Sequence, residues 1–141
     1  MMTKIRQRLN QKGFTLVELM VVIAILGVLA AIAIPKFGDA TATANTAKIQ
    51  ADLRTIDAAI VMYQAQQGKD PDTDKGVKPL KDAGLLVDEP KPPSGNCFID
   101  KSTSEAVPDT AYTLEKVDGT LRAVCKTGNT SEKFKKAPEK S

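Results

Sequence analysis

A run of 22 residues from Phe14 to Pro35, uncharged at every position but one, constrains this 141-residue chain more than any other feature. Its only ionisable side chain is Glu18, four positions after the run begins. At about 1.5 Å of rise per residue, a helix of this length spans roughly 33 Å, which is close to the thickness of a bilayer core. The run therefore predicts a membrane-spanning helix.

The residues before the run are basic. Four cationic side chains and no acidic one precede it: Lys4, Arg6, Arg8 and Lys12. Because such residues stay on the cytoplasmic side, they predict a cytoplasmic N-terminus, with the rest of the chain outside. Without this leader the net charge of +3 becomes −1, with 16 basic against 17 acidic side chains. The overall charge therefore gives no convincing signal for nucleic-acid binding.

The run differs from the apolar part of an ordinary secretory signal. It is too long, and no small-x-small cleavage pattern follows it, since residues 34–37 read Ile-Pro-Lys-Phe. These features predict a single-span protein with an extracytoplasmic domain.

Residues 12–19 read Lys-Gly-Phe-Thr-Leu-Val-Glu-Leu, and the uncharged run continues to Pro35. This segment of about 27 residues resembles the N-terminus of type IV prepilins, a family that includes type IV pilins and pseudopilins. The resemblance implies that a prepilin peptidase cuts between Gly13 and Phe14 and methylates the new amine of Phe14. It also implies an α+β pilin fold, in which a long N-terminal helix packs against a small antiparallel sheet.

Glu18 is expected to have a partner that offsets its charge, because a charge at the centre of a bilayer costs at least ~3 kcal/mol. The resemblance implies that Glu18 of one subunit attracts the Phe14 amine of the next during assembly. An ion pair of this kind can set register rather than add net stability. The alternative is that Glu18 only caps the start of the helix against its dipole.

Beyond the run, large apolar residues recur at intervals of four, three, four and three: Ile49, Leu53, Ile56, Ile60 and Tyr63. This spacing predicts an amphipathic helix with one buried stripe. Gly68 suits a C-cap, so one helix is expected from Phe14 to Gln67. Within it, Gly27 and Pro35 predict a kink, because proline removes a backbone donor and glycine loosens the helix.

The later part of the chain predicts a small sheet. Asp118-Gly119 separates residues 110–117 from residues 120–125, and this dipeptide is typical of a type I′ hairpin turn. A further strand is expected near residues 97–100. About three antiparallel strands would then pack on the apolar stripe of the helix.

The expected organisation has five parts. They are a leader (1–13), the membrane and filament-core half of the helix (14–35), its amphipathic half (36–67), a small α+β head (68–126) and a flexible polar tail (127–141). In the head, a short helical turn is expected with Pro79 in its first turn, followed by a proline-rich connector at 88–95. The tail is Lys-rich and is predicted to be disordered.

Cys97 and Cys125 are the only cysteines. An even count after an export-type N-terminus favours a disulfide, which would stabilise the head by about 3 kcal/mol on the chain-entropy model. The alternative is a pair of unpaired buried thiols. The resemblance adds that a disulfide encloses a C-terminal loop in type IV pilins.

Asp70, Asp72 and Asp74 resemble the start of a calcium loop. The following glycine, Gly76, falls one position late, and Lys81 stands where a bidentate glutamate should be. A solvated loop is therefore favoured, and no metal or other cofactor is predicted. The chain has no His and no Ser-His, Cys-His or phosphate-loop arrangement, so an enzyme is not expected.

The resemblance implies a structural subunit of a type IV pilus. Such a subunit is held in the lipid of a bacterial cytoplasmic membrane before assembly. It then polymerises with its own copies into an extracellular or periplasmic filament, which serves adhesion, twitching motility or DNA uptake. Its partners would be itself, the prepilin peptidase, and an inner-membrane assembly platform and motor. One alternative is a major pseudopilin of a type II secretion or competence pseudopilus. Another is a membrane-anchored monomeric binding module.

Overall fold

The computed structural model describes residues 12–126 and 128–137. The chain divides into two compact units, residues 1–36 and 37–141. In chain order the elements are α1 (Leu16–Gln67), a 3-10 turn (Thr73–Lys75), α2 (Lys78–Asp82), β1 (Asn96–Cys97), β2 (Glu105–Ala106), β3 (Thr113–Val117), β4 (Thr120–Val124) and a second 3-10 turn (Ser131–Lys133). This is an α+β arrangement with a long N-terminal helix and small antiparallel strand pairs, as predicted.

In the first unit, α1 is apolar on every side. All its side chains up to Lys36 are exposed except Ala33, which is half-buried. In the described part of the chain, α1 is the one helix long and apolar enough to cross a membrane. The helix is uninterrupted at Gly27 and at Pro35, so the bend expected there stays a prediction.

In the second unit, α1 supplies one wall of the core. The predicted stripe is confirmed, because Ile49, Leu53, Ile56 and Ile60 are buried and Tyr63 packs at the edge of the same cluster. The helix ends as predicted: Gly68 has φ +66° and its N–H donates to the carbonyl of Gln64 at 2.9 Å. A glycine C-cap in the left-handed region satisfies an end carbonyl without Cβ strain.

The short helix α2 confirms the helical turn predicted in this region. Pro79 lies in its first turn, where the missing N–H costs no intrahelical bond, and Leu80 is fully buried. This turn therefore adds one large apolar side chain to the core.

The β3–β4 hairpin is also confirmed. Asp118 and Gly119 both have positive φ, +51° and +79°, as a type I′ turn requires. Val117 lies opposite Thr120 across the turn. The side chains that face α1 alternate along the chain as expected and are all buried: Tyr112, Leu114, Leu121, Ala123 and Cys125.

The expectation of one sheet with about three strands is wrong. The described strands form two separate antiparallel pairs, β1–β2 and β3–β4. The strand near Cys97 stops because its next amide, Phe98 N–H, donates to the Thr46 hydroxyl at 2.8 Å rather than to a strand. Asp100 then adopts φ +51°, which an extended strand cannot continue through.

The prediction of a disordered tail is wrong for residues 128–137, which we call the C-terminal segment. The segment holds the second 3-10 turn, and its Phe134 is only 1% exposed within the core cluster. Burial of one aromatic ring orders a stretch whose overall composition is polar. Residues 127 and 138–141 of the expected tail lie outside the described residues, as do residues 1–11 of the leader.

Candidate processing and assembly site

The Gly13–Phe14 bond lies in exposed, non-helical backbone. Residues 12–15 precede α1, which begins at Leu16, and Phe14 is 89% exposed. Outside a helix, the backbone groups on both sides of a bond stay available to a protease. Gly13 is not in the left-handed region, and a Cβ added there would meet nothing within 4 Å. The fold itself therefore gives no reason for glycine at this position.

Thr15 and Glu18 form a reciprocal cap at the start of α1. The Thr15 N–H donates to Glu18 Oε2 at 2.8 Å, and the Glu18 N–H donates to Thr15 Oγ1 at 3.2 Å. The Thr15 hydroxyl also donates to Oε2, at 3.1 Å. This is the capping-box pattern, in which two orphan amides at a helix start are satisfied at once.

The cap engages one of the two carboxylate oxygens of Glu18. Among residues 12–126 and 128–137, no hydrogen bond reaches Oε1 and no ion pair reaches Glu18. The structure thus shows the capping role that the sequence left as the alternative. It leaves an oxygen for a second donor, and pairing with the Phe14 amine of another copy stays a prediction.

In the head, three carboxylates tie α1 and the C-terminal segment to the hairpin. Asp57 accepts from the Arg122 Nε at 2.9 Å and from the Ala123 N–H at 2.7 Å. Arg122 also donates to Glu132 at 2.8 Å, and this bond lowers the pKa of Glu132 to about 2. These pairs escaped the sequence analysis, because no local pattern links α1 to a strand some 65 residues away.

The third tie lies at the start of β3. The Tyr112 hydroxyl donates to Asp52 at 2.8 Å, and burial together with this bond raises the pKa of Tyr112. Lys48 pairs with the same carboxylate and also donates to the carbonyl of Lys91 at 3.1 Å. Asp52 and Asp57, on the amphipathic half of α1, therefore hold the hairpin to the helix.

Both cysteines are fully buried in the core cluster, where the structure holds them as free thiols. Burial raises the pKa of Cys97 and raises that of Cys125 to about 11. The disulfide between them stays a prediction.

Two carboxylates of the candidate calcium loop, those of Asp70 and Asp72, have protein partners. Asp72 accepts from the Asp74 N–H at 3.2 Å and pairs with Lys75 at 3.0 Å, which lowers its pKa. Asp70 accepts from Gln64 at 2.9 Å. Within the described ranges, no three His, Cys, Asp or Glu side chains are grouped so as to hold a metal ion. The structure gives the calcium candidate no support.

Comparison with known proteins identifies the N-terminal segment. Residues 8–34 match the family model of the prokaryotic N-terminal methylation motif. The matched stretch spans the Gly13–Phe14 bond, the Thr15–Glu18 cap and most of the uncharged run. The chain thus carries a prepilin-type motif, as its resemblance implied.

Longer similarities extend into the head. The chain is 37% identical over 82 residues to the type II secretion system core protein G of Pectobacterium carotovorum subsp. carotovorum, covering 58% of this chain and 53% of that protein. It is 40% identical over 74 residues to the Klebsiella pneumoniae protein of the same name, covering 52% and 53%. It is 42% identical over 89 residues to the type IV major pilin protein PilE1 of Neisseria gonorrhoeae, covering 60% and 49%.

The chain therefore spans about half the length of the curated relatives it matches. No solved structure gave a significant match.

Proposed function

We propose that this chain, which carries the prepilin-type methylation motif, is a structural subunit that is cleaved, methylated and polymerised into a filament. The observation that carries the proposal is the match of residues 8–34 to that motif, together with the part of α1 up to Lys36, whose apolar side chains are almost all exposed. An exposed apolar helix needs a lipid or protein environment. Membrane lipid supplies it before assembly, and the helices of other copies supply it afterwards.

Processing falls at the Gly13–Phe14 bond. Its exposed, non-helical backbone suits entry into a peptidase, and the small Gly13 allows close approach of the enzyme. The cut leaves Phe14 as the new N-terminus, which the same peptidase methylates. The capping pair Thr15–Glu18 stays with the mature chain, so the helix start survives the cut.

Assembly pairs Glu18 with the Phe14 amine of a neighbouring copy. The free oxygen of the capped carboxylate supports this pairing, since one oxygen holds the helix start while the other accepts a new donor. In apolar surroundings an unpaired charge is costly, so the pair selects a single axial register. Head-to-tail contacts of this kind build open-ended filaments.

We assign the filament to the type IV pilus class, outside the cytoplasmic membrane. The similarity to a type IV major pilin and the two buried cysteines of the head favour this class. A pseudopilus is the second candidate, favoured by the similarity to type II secretion system core protein G from several bacteria. In either case a separate membrane platform and motor extract the subunit, and the role of the chain is structural.

Two substitutions at Glu18 separate pairing from capping. Glutamine is accepted at this position of a capping box, so Glu18→Gln keeps the helix cap but removes the charge. We expect Glu18→Gln and Glu18→Ala to insert into the membrane normally and both to fail in filament assembly, measured by electron microscopy and by sheared-filament yield. Thr15→Ala, which weakens the cap and keeps the charge, is the matched control and should still assemble.

Filaments at wild-type yield from Glu18→Gln would refute the pairing and leave capping as the role of Glu18. No filaments from the wild-type chain, expressed with a working assembly system, would instead favour the monomeric membrane-anchored module. Pilus and pseudopilus are distinguished in a deletion strain, by loss of surface filaments or by loss of protein secretion.

A further inference from the structure

The thiols of Cys97 and Cys125 are closed off from solvent on all sides. Each is 0% exposed, and both belong to the cluster that contains Phe134 of the C-terminal segment. Cys125 touches that segment directly, because its N–H donates to the carbonyl of Asn129 at 3.1 Å. Any reagent that reaches the thiols must first displace part of the structure around them.

The C-terminal segment is fastened beside each cysteine. Next to Cys97, the Asp100 N–H donates to the Lys135 carbonyl, and the Ala137 N–H donates to the Lys101 carbonyl, both at 3.0 Å. The Lys136 ammonium also lies 5.2 Å from the centre of the Phe98 ring. The segment therefore bridges the two parts of the chain that carry the cysteines.

Polar bonds fasten most of the segment, and its buried residues are Thr130, Ser131 and one large apolar side chain. Glu132 reaches Arg122 with a carboxylate that is 63% exposed, and Phe134 is the one large buried apolar residue of the segment. The opposite cover, α1, contributes four large buried residues to the same cluster: Ile49, Leu53, Ile56 and Ile60. Local openings follow the route that loses least buried surface, so the C-terminal segment opens before α1 separates.

We propose that the C-terminal segment is a latch that controls access to Cys97 and Cys125, with Phe134 as its plug. When the latch is closed, neither thiol reacts with an external reagent. When it opens, both become accessible while the rest of the head stays folded. Oxidation or modification of these cysteines therefore precedes latch closure during folding or requires the latch to reopen.

Alkylation of the reduced, refolded full-length chain in detergent micelles tests the latch. With iodoacetamide, each thiolate sulfur bonds to the methylene carbon, iodide leaves and the thiol proton passes to solvent. Mass spectrometry follows the rate, and the chain has no other cysteine. We expect slow labelling of the wild type and an increase of roughly 100-fold in Phe134→Ala, since loss of a core aromatic side chain strongly destabilises the segment that carries it.

Two controls separate the latch from general destabilisation. Lys133→Ala changes an exposed side chain of the segment and should leave the rate unchanged. Leu80→Ala removes a buried side chain on α2, so it should lower the melting temperature of the head without accelerating labelling. Equal acceleration by Leu80→Ala and Phe134→Ala would show that labelling follows global unfolding, and this would overturn the latch. A Phe134→Ala rate equal to that of the wild type would overturn it as well.

Discussion

Replacing Asp57 with alanine removes the two bonds that join the middle of α1 to β4. The Ala123 N–H loses its acceptor at 2.7 Å in a residue that is 0% exposed. A buried amide without a partner costs about 1–3 kcal/mol. Arg122 keeps its ion pair with Glu132 but loses the ion pair with Asp57.

The charged part of the loss is modest, because both partners are partly exposed. The side chains of Arg122 and Asp57 are 28% and 20% exposed, so screening reduces their pair to about 1 kcal/mol. Together the two losses give about 2–4 kcal/mol. For a folded unit of this size, that corresponds to a fall in melting temperature of roughly 10–20 °C.

The assay is thermal and urea unfolding of the full chain in micelles, followed by near-ultraviolet circular dichroism, which reports the buried Tyr112. Asp57→Asn should fall between the wild type and Asp57→Ala, since its amide oxygen can still accept from the Ala123 N–H. Asp82→Ala is the matched control. It removes an i,i+4 pair with Lys78 whose side chains are about 60% exposed, and such pairs contribute ~0.5 kcal/mol or less. Equal effects of Asp57→Ala and Asp82→Ala would refute the reasoning.

Three further outcomes are expected. Thr46→Val should lower the unfolding free energy by about 1–3 kcal/mol, because it leaves the buried Phe98 N–H without an acceptor. Thr46→Ser keeps the hydroxyl and should unfold near the wild-type midpoint in the same measurement. Equal unfolding midpoints for the two variants would contradict this. The pKa of Glu132 is lowered from 4.5 to about 2, so the Glu132 carboxylate stabilises the folded state fully above pH 4.5, and this stabilisation is lost as the pH falls towards 2. The melting temperature of Glu132→Gln should therefore fall slightly less than that of the wild type as the pH is lowered from 4.5 towards 2. An equal fall in both proteins would show that the Glu132–Arg122 contact does not contribute to the pH dependence. The intact mass of mature protein should lack residues 1–13, gain one methyl group and, if the cysteines are bonded, lose two hydrogen atoms. A full-length mass from cells with active prepilin peptidase would contradict the processing.

Local patterns predict the elements of this fold whose causes are local. The hairpin follows from Asp118-Gly119, because few dipeptides accept two positive φ angles in succession. The buried stripe follows from the spacing of residues such as Ile49 and Leu53, and Gly68 marks the end of the helix. The proposed processing bond rests on a short motif whose residues are contiguous.

The features that the sequence did not reveal depend on distant partners. Phe134 stands among lysines, with no apolar periodicity, and its burial depends on a core built by residues far earlier in the chain. The strand at Cys97 does not continue, because the Phe98 N–H donates to the Thr46 hydroxyl on α1 and is not available for pairing with a third strand.

The contact of Asp57 with β4 also bears on strand pairing between molecules. The outer edge of a hairpin strand offers unpaired backbone groups, which recruit strands from other molecules when chains are crowded. Here the Ala123 N–H on that edge donates to the Asp57 carboxylate of α1, so it is not available to a strand of another molecule. In the proposed filament, where many copies stack at high local concentration, this contact would disfavour strand addition at Ala123 and leave growth to the helices.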